Sequence, residues 1–519
     1  ALHRWTPGVP AKWKAGALAA AAVAYGTALL PSASAERGGP ACFLLVATDS
    51  LRADHLSCNG YPRETTPHID ELARRGTNFA RCLVPTASTH ESWVSMLSSS
   101  EPRHHGLRHM FPARDEVRSV VEGREFLPAL LADRGYATGA VGGWCGTTFR
   151  LFDMGFREVD VSDAQTYRTV IAEAAFTNHL LACAVLDNPL GRLLVPELAG
   201  VSFTRSASAL TRRAKAFLDR MAREQEPFFL VVVYHVTHLP YSASYPYYAT
   251  FTDPAYRGRN RYRIDFNVDE MIQHGFCDDL TAAERRHVVD LYDGCVREFD
   301  EQVGALVRHL KARGLYGRTI VGVVGDHGDD LYEPGCTLGH GVTLFGGDHA
   351  NHIPAVFAGP GIPARRVDEL VRSFDLTPTW ARWLGVEAPP SWHGADLAGE
   401  IPRLSALLET SYLLYRQPVP DLRAGERPRE FPRFDRAVVA DPAFDGNFVL
   451  RRELRDLLVK TKCFAVREGP WKLIYVPGEE GPIYRLYHLD KDPLCVRDLS
   501  AARPGELERL KAMLPPEAR

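Results

Sequence analysis

The chain has 519 residues, with 61 Lys and Arg against 64 Asp and Glu, for a formal net charge of −3. That balance argues against a nucleic-acid partner. At 45% hydrophobic residues a chain of this length buries a large core without help from disulfides or a structural metal, and its 10 Cys show no CxxC or zinc-finger spacing.

Arg4, Lys12 and Lys14 precede an uncharged, Ala- and Leu-rich stretch (15–35) that ends in Ala33-Ser34-Ala35. A positive flank, an apolar run and a small-x-small ending fit a secretory signal peptide. The stretch is also just long enough to span a bilayer as an anchor. Residues 1–35 are therefore expected to be a signal peptide or membrane anchor. Either reading exports the remainder to the periplasmic or extracellular face of the cytoplasmic membrane, secreted or attached.

CFLLVATD (42–49) has the unbroken apolar character of a buried parallel strand. Thr66-Pro67 opens a helix, with Thr66 as its cap, and Gly76 stops it. EFLPALLADRG (125–135) and TRRAKAFLDRMARE (211–224) read as helices, and FFLVVVYHVTH (228–238) as another buried strand. Between them, TVIAEAAFTNHLLACAVLDNPLGRLLVPEL (169–198) reads as partly helical, and the Tyr- and Arg-rich stretch 241–265 as a loop. Thr281 and Glu284 form a capping box. The stripe Val288, Tyr292, Cys295, Phe299, Val303, Leu306 and Leu310 follows at helical spacing, closed by Gly314. TIVGVVGDHGD (319–329) is strand then loop, and IPAVFAG (353–359) one more strand. From about residue 405 the pattern changes to antiparallel strands (465–493) and a closing helix (504–514). The expected architecture is an α/β fold, a mostly parallel sheet sandwiched by helices, with a smaller C-terminal α+β subdomain. The catalytic domain would cover 41–400 and the subdomain 405–519.

Functional groups of such sheets gather at the carboxyl ends of strands. Asp49, His235, His238, Asp326 and His327 all fall there. Asp49, Asp326 and His327 offer two hard oxygens and an imidazole, a set suited to one divalent cation. A Ser or Thr hydroxyl beside that cation would become a nucleophile. The run PTASTHESWVSMLSS (85–99) supplies hydroxyls in plenty, and taken alone it reads as a solvated loop entering a helix near Ser92. Thr89 could be the nucleophile, with amide groups at the helix start facing an anionic substrate. His238 and His340 could protonate a leaving group.

TDSLRADHLSCNGYPRETTPHIDELARRGTNFARC (48–82), the hydroxyl run and GDHGDDLYE (325–333) resemble the sulfatase branch of the alkaline-phosphatase superfamily. Within that branch they look closest to members that transfer phosphoethanolamine or phosphoglycerol. SFDLTPTWARWLGV (373–386) and REGPWKLIY (467–475) fit as well, so the resemblance covers roughly 42–515. It implies Asp49, Thr89, Asp326 and His327 as metal ligands, Thr89 also as nucleophile, and His238 and His340 at the transferred group. Ser92 and His352 are implied as substrate contacts. THESW (89–93) stands where sulfatases carry C-x-P-S-R. Their Cys or Ser is oxidised to formylglycine, an aldehyde that Thr89 cannot form. Their G-K-W-H segment is Gly142-Gly143-Trp144-Cys145 here, Trp93 replaces the Arg, and Ser50 replaces a ligand Asp. These departures point to a phosphodiester head-group transferase or hydrolase that works through a phospho-threonine. Its substrate would be a phospholipid or glycan phosphoester at a membrane, and its ion zinc, with manganese or calcium as alternatives. The rivals are a sulfuric ester hydrolase and a non-catalytic lipid-binding or sensing member.

Overall fold

The computed structural model describes residues 41–161, 207–265, 280–413, 419–420 and 422–518. The expected signal or anchor at 1–35 and the apolar stretch at 169–198 lie outside the described residues. Among those described, no helix is long and apolar enough to cross a membrane.

Among the described residues, eight strands form the central sheet: β1 (Cys42–Thr48), β2 (Thr77–Phe79), β3 (Ala137–Gly142), β4 (Glu158–Asp160), β5 (Phe228–Tyr234), β6 (Thr319–Gly325), β7 (Ala355–Ala358) and β8 (Arg365–Val367). Their spatial order is β8-β2-β7-β6-β1-β5-β3-β4. β1 runs parallel to both β5 and β6, with Thr48 opposite Tyr234 on one side and Gly325 on the other. β7 is antiparallel to its two neighbours. Every residue of β1, β5 and β6 is buried, as their continuous apolar runs require of strands covered on both faces. Alternation divides β1 between two cores: Leu44 and Val46 face one, Phe43, Leu45 and Ala47 the other.

The first core is closed by α1 (Pro67–Arg75), α3 (Ala207–Glu224) and α4 (Ala282–Ala312). The second is closed by α2 (Thr89–Ser98) and α5 (Leu376–Trp383), through Trp93, Met96 and Trp380. The capping box of α4 forms as expected: Glu284 N donates to Thr281 Oγ1, and Thr281 N to the Glu284 carboxylate. The whole apolar stripe of α4 is buried.

Thr66, expected to cap α1, does not. Its hydroxyl donates to Asp70 Oδ1 at 2.9 Å. The free amides of His68 and Ile69 donate instead to the two oxygens of Asp300, a side chain of α4, at 3.1 and 2.8 Å. Gly76 ends α1 for want of space: its φ of −141° is extended, but a Cβ there would stand 2.0 Å from the Phe357 carbonyl oxygen.

A second, antiparallel sheet is built from β9 (Ser405–Glu409), β10 (Phe464–Glu468), β11 (Trp471–Val476) and β12 (Ile483–His488), with α6 (Pro504–Lys511) packed on it through Leu510. This is the smaller carboxyl-terminal subdomain of the expected fold class.

Candidate active site

Asp49 is the first residue after β1, and Asp326 and His327 are the first after β6. Because these strands are adjacent and parallel, both carboxylates emerge side by side at the carboxyl edge of the sheet. α2 begins at Thr89, three residues before the expected start near Ser92, so Thr89 occupies the first helical position. Its Oγ1 lies 3.4 Å from Asp49 Oδ2 and 3.4 Å from His327 Nε2. His327 Nε2 is 3.3 Å from Asp49 Oδ1 and 3.9 Å from Asp326 Oδ2. All four side chains are buried. His327 Nδ1 donates to the Gly328 carbonyl at 3.0 Å, which leaves the Nε2 lone pair for the carboxylate cluster.

This set fits a divalent cation. Ligand atoms of Asp49, Asp326 and His327 lie within 4.8 Å of one another, and Asp326 Oδ2 is buried with no hydrogen-bond donor. A buried acid oxygen left without a donor calls for a positive charge. The oxygen-rich donor set suits zinc, manganese or calcium.

Ser50, at the position of the missing ligand carboxylate, serves the site by hydrogen bonding. With φ +63°, it turns its amide to Asp326 Oδ1 at 3.1 Å and its hydroxyl to Asp49 Oδ1 at 3.0 Å. Tyr292 of α4 fixes the turn, donating its hydroxyl to the Ser50 carbonyl at 2.7 Å.

Burial, then the charge of Asp49, push the Asp326 carboxyl well above the usual carboxylate range. Burial acts the same way on Asp49 but is outweighed by the facing His238, His327 and His340, which hold its carboxyl low. His327 is pushed down to about 4 by burial and then by His340. His340 moves the other way. Burial opposes its charge, yet Asp329 raises it, with His340 Nδ1 at 2.6 Å from Asp329 Oδ1. Asp329 is itself steered by Tyr241, whose hydroxyl donates to Oδ2 at 2.6 Å.

The His340 ring lies 4.1 Å from that of His327 and 5.5 Å from that of His238. His238 donates Nδ1 to the Leu239 carbonyl and meets Trp144 edge-on at 4.9 Å. The structure thus brings together Asp49, Thr89, His238, Asp326, His327 and His340 from five separated stretches of chain.

Two expected substrate contacts have partners within the protein. Ser92 donates its hydroxyl to the Asp326 carbonyl and so ties α2 to the ligand loop. His352 Nε2 donates to the Ala80 carbonyl at 2.8 Å. Asp329, Tyr241, Tyr292 and Trp144 were not singled out from the sequence. For Asp329 a signal existed, a second acid three residues after Asp326. Tyr241 and Tyr292 gave none beyond a Tyr-rich loop and a helical stripe, while Trp144 stood in the segment that matches the sulfatases' G-K-W-H.

A family described as Sulfatase matches residues 42–386. Arylsulfatase A of Bos taurus is 27% identical over 412 residues, 73% of this chain and 73% of its own. Steryl-sulfatase of Rattus norvegicus is 25% identical over 400 residues, 68% of this chain and 69% of its own. A solved phosphonate monoester hydrolase of Agrobacterium radiobacter shares the fold, with a TM-score of 0.62 over 91% of this chain and 95% of its own at 20% identity. Both curated relatives carry the name of sulfatases, not of the phosphoethanolamine or phosphoglycerol transferases that the sequence motifs most resembled.

Proposed function

Because the chain belongs to the sulfatase family, and is an enzyme of the sulfatase-like hydrolase class, we propose that it hydrolyses a sulfuric ester at a centre built around Thr89. The observation that carries this reading is the convergence of the Thr89 hydroxyl on Asp49 and His327, 3.4 Å from each. A divalent cation held by Asp49, Asp326 and His327 would lower the pKa of a bound hydroxyl and neutralise charge that develops on the ester. Thr89 Oγ1, having lost its proton to solvent, bonds to sulfur as the bond from sulfur to the alcohol oxygen breaks. The departing alcohol oxygen takes a proton from His340, whose hold on that proton Asp329 strengthens. Water then attacks the sulfur of the sulfo-threonine, returns a proton to His340 and releases sulfate and free Thr89. His238 faces the same space from the end of β5 and contacts a non-bridging oxygen of the ester.

The family comparisons favour this sulfuric ester reading over the phosphodiester transfer that the sequence resemblance and its departures suggested. One specific observation keeps that second reading alive: Thr89 stands where an aldehyde-forming Cys or Ser would be, and the same attack on phosphorus gives a stable phospho-threonine. A lipid substrate, attachment to a membrane and export through residues 15–35 belong to the proposal on sequence grounds. The test is turnover of an aryl sulfate beside a bis-aryl phosphate, with mass spectrometry of the peptide 82–103 in each reaction. Faster sulfate release with a transient sulfo-threonine is expected. Clear preference for the phosphodiester, with a phosphorylated Thr89, would instead establish the second reading.

A further inference from the structure

The segment 347–352 lies between the C-terminal sheet and both active-site loops. Within it, Asp348 takes Arg467 Nε at 2.7 Å on one oxygen and Lys472 Nζ at 3.0 Å on the other. Both cations come from the antiparallel sheet, Arg467 from β10 and Lys472 from β11, and the Lys472 side chain is 0% exposed. Lys472 also donates to the Gly347 carbonyl. Burial works against an ionised Asp348, yet the two cations hold its carboxyl well below the usual range.

Three contacts carry this grip toward the centre. The Gly328 amide donates to the Ala350 carbonyl at 2.8 Å, and a Cβ at Gly328 would stand 2.2 Å from the His349 carbonyl oxygen. Only glycine lets the ligand loop, one residue past His327, lie this close to the segment. Asn351 holds Val84 twice, accepting from its amide at 2.9 Å and donating Nδ2 to its carbonyl at 3.0 Å. Val84 leads directly into the loop that delivers Thr89. His349 Nδ1 meets Asp54 Oδ2 at 3.2 Å, and Asp54 binds Arg52, whose guanidinium also donates to the Asp329 carbonyl at 3.1 Å.

We propose that Lys472 is a positioning residue for the metal centre: by clamping Asp348 it fixes the segment against which the Asp326–His327 loop and the Thr89 loop both rest. The inference rests on the metal reading of that centre. Lys472 touches neither ligand nor nucleophile, so a purely structural role would cost stability without altering the affinity of the site.

The test uses the full chain and compares Lys472→Met, which keeps length and loses charge, with Arg485→Met. Arg485 is another buried cation of the same antiparallel sheet, paired with Glu426 and Asp498. After chelator treatment, each protein is titrated with whichever of zinc, manganese and calcium the wild type binds best, and thermal stability is recorded in parallel. Affinity about tenfold weaker in Lys472→Met, and within about twofold of wild type in Arg485→Met, is expected, as for residues that orient metal ligands indirectly. Unchanged affinity in Lys472→Met, or equal losses in the two variants, would overturn the proposal. Should Lys472→Met fail to fold, Asp348→Asn keeps the volume and carries the same expectation. A wild type that binds none of the three ions defeats the metal reading and this inference together, whereas a metal-binding wild type with an unaffected Lys472→Met defeats only the inference.

Discussion

Thr89 is held by position rather than by composition, since four serines of its run are spent elsewhere. Ser95 and Ser98 donate to the Glu91 and Val94 carbonyls one turn back, Ser88 to the Glu91 carboxylate at 2.6 Å, and Ser92 to Asp326. Thr89→Ala therefore removes the hydroxyl of this run that reaches both Asp49 and His327. Turnover should fall by roughly three orders of magnitude or more with an unchanged near-ultraviolet circular dichroism spectrum, while Thr89→Ser retains measurable activity. Wild-type rates in Thr89→Ala would refute the nucleophile. Asp329 supports a second residue-scale prediction. Asp329→Asn strips His340 of the carboxylate that raises its affinity for a proton, so protonation of the leaving group suffers. For an alkyl ester, whose alkoxide needs that proton, kcat should drop about 100-fold; for a nitrophenyl ester, whose leaving group does not, it should change little. Equal losses on both substrates would mean that Asp329 matters to folding or metal rather than to His340.

At the scale of elements, α1 and α4 depend on one acid. Asp300 accepts the amides of His68 and Ile69 and thereby does the capping that Thr66 was expected to do. Burial pushes the Asp300 carboxyl up to about 6, its amide partners pulling the other way. The folded state thus binds this proton more tightly than the unfolded chain, whose Asp titrates near 4. Stability from this group is full below about pH 4, declines as pH rises toward 6, and stays lower above it, by at most about 2–3 kcal/mol. Asp300→Asn should flatten that slope in denaturant titrations between pH 4 and 7; an unaltered slope would remove Asp300 from the account. Gly76→Ala should cost about 3 kcal/mol or more, because its methyl would overlap the Phe357 carbonyl in the neighbouring strand and the backbone must give. A midpoint shift under about 1 kcal/mol would show that β7 yields easily. These two cases explain what the sequence could not convey. Strands β1, β5 and β6 and the stripe of α4 were legible because apolar periodicity is local. Asp49, Asp326 and His327 were legible because such strands deliver their next residue to the sheet edge. The partners of Ser92 and His352 were not legible because a contact depends on where a helix starts and on which backbone lies opposite. Local chemistry leaves that open: α2 starts three residues early, and His352 finds Ala80. The clamp on Asp348 was invisible for the same reason, its partners being more than a hundred residues away along the chain.

For the molecule as a whole, the proposed centre is also a point of stored cost. Two fully buried carboxylates at the edge of a parallel sheet, with Asp326 Oδ2 lacking any donor, oppose each other in the metal-free protein, which must take up a proton to relieve them. A cation that binds only the folded chain stabilises it by mass action, by about 4 kcal/mol when its free concentration is 1,000 times the dissociation constant. Spread over a chain of 519 residues, that amounts to a rise of only a few degrees in melting temperature, since larger proteins move less per kcal/mol. Calorimetry of the full protein should show a chelator lowering the transition by this amount and zinc or manganese restoring it. Asp326→Asn separates metal from general salt effects. That variant should melt near the chelated wild type, ignore the chelator, and give no metal-dependent shift, because one ligand oxygen and the charge that held the ion are gone. If chelator and added ions leave the wild type unmoved, or shift Asp326→Asn just as far, the ion is not seated between Asp49, Asp326 and His327, and the role assigned to Thr89 loses its physical basis.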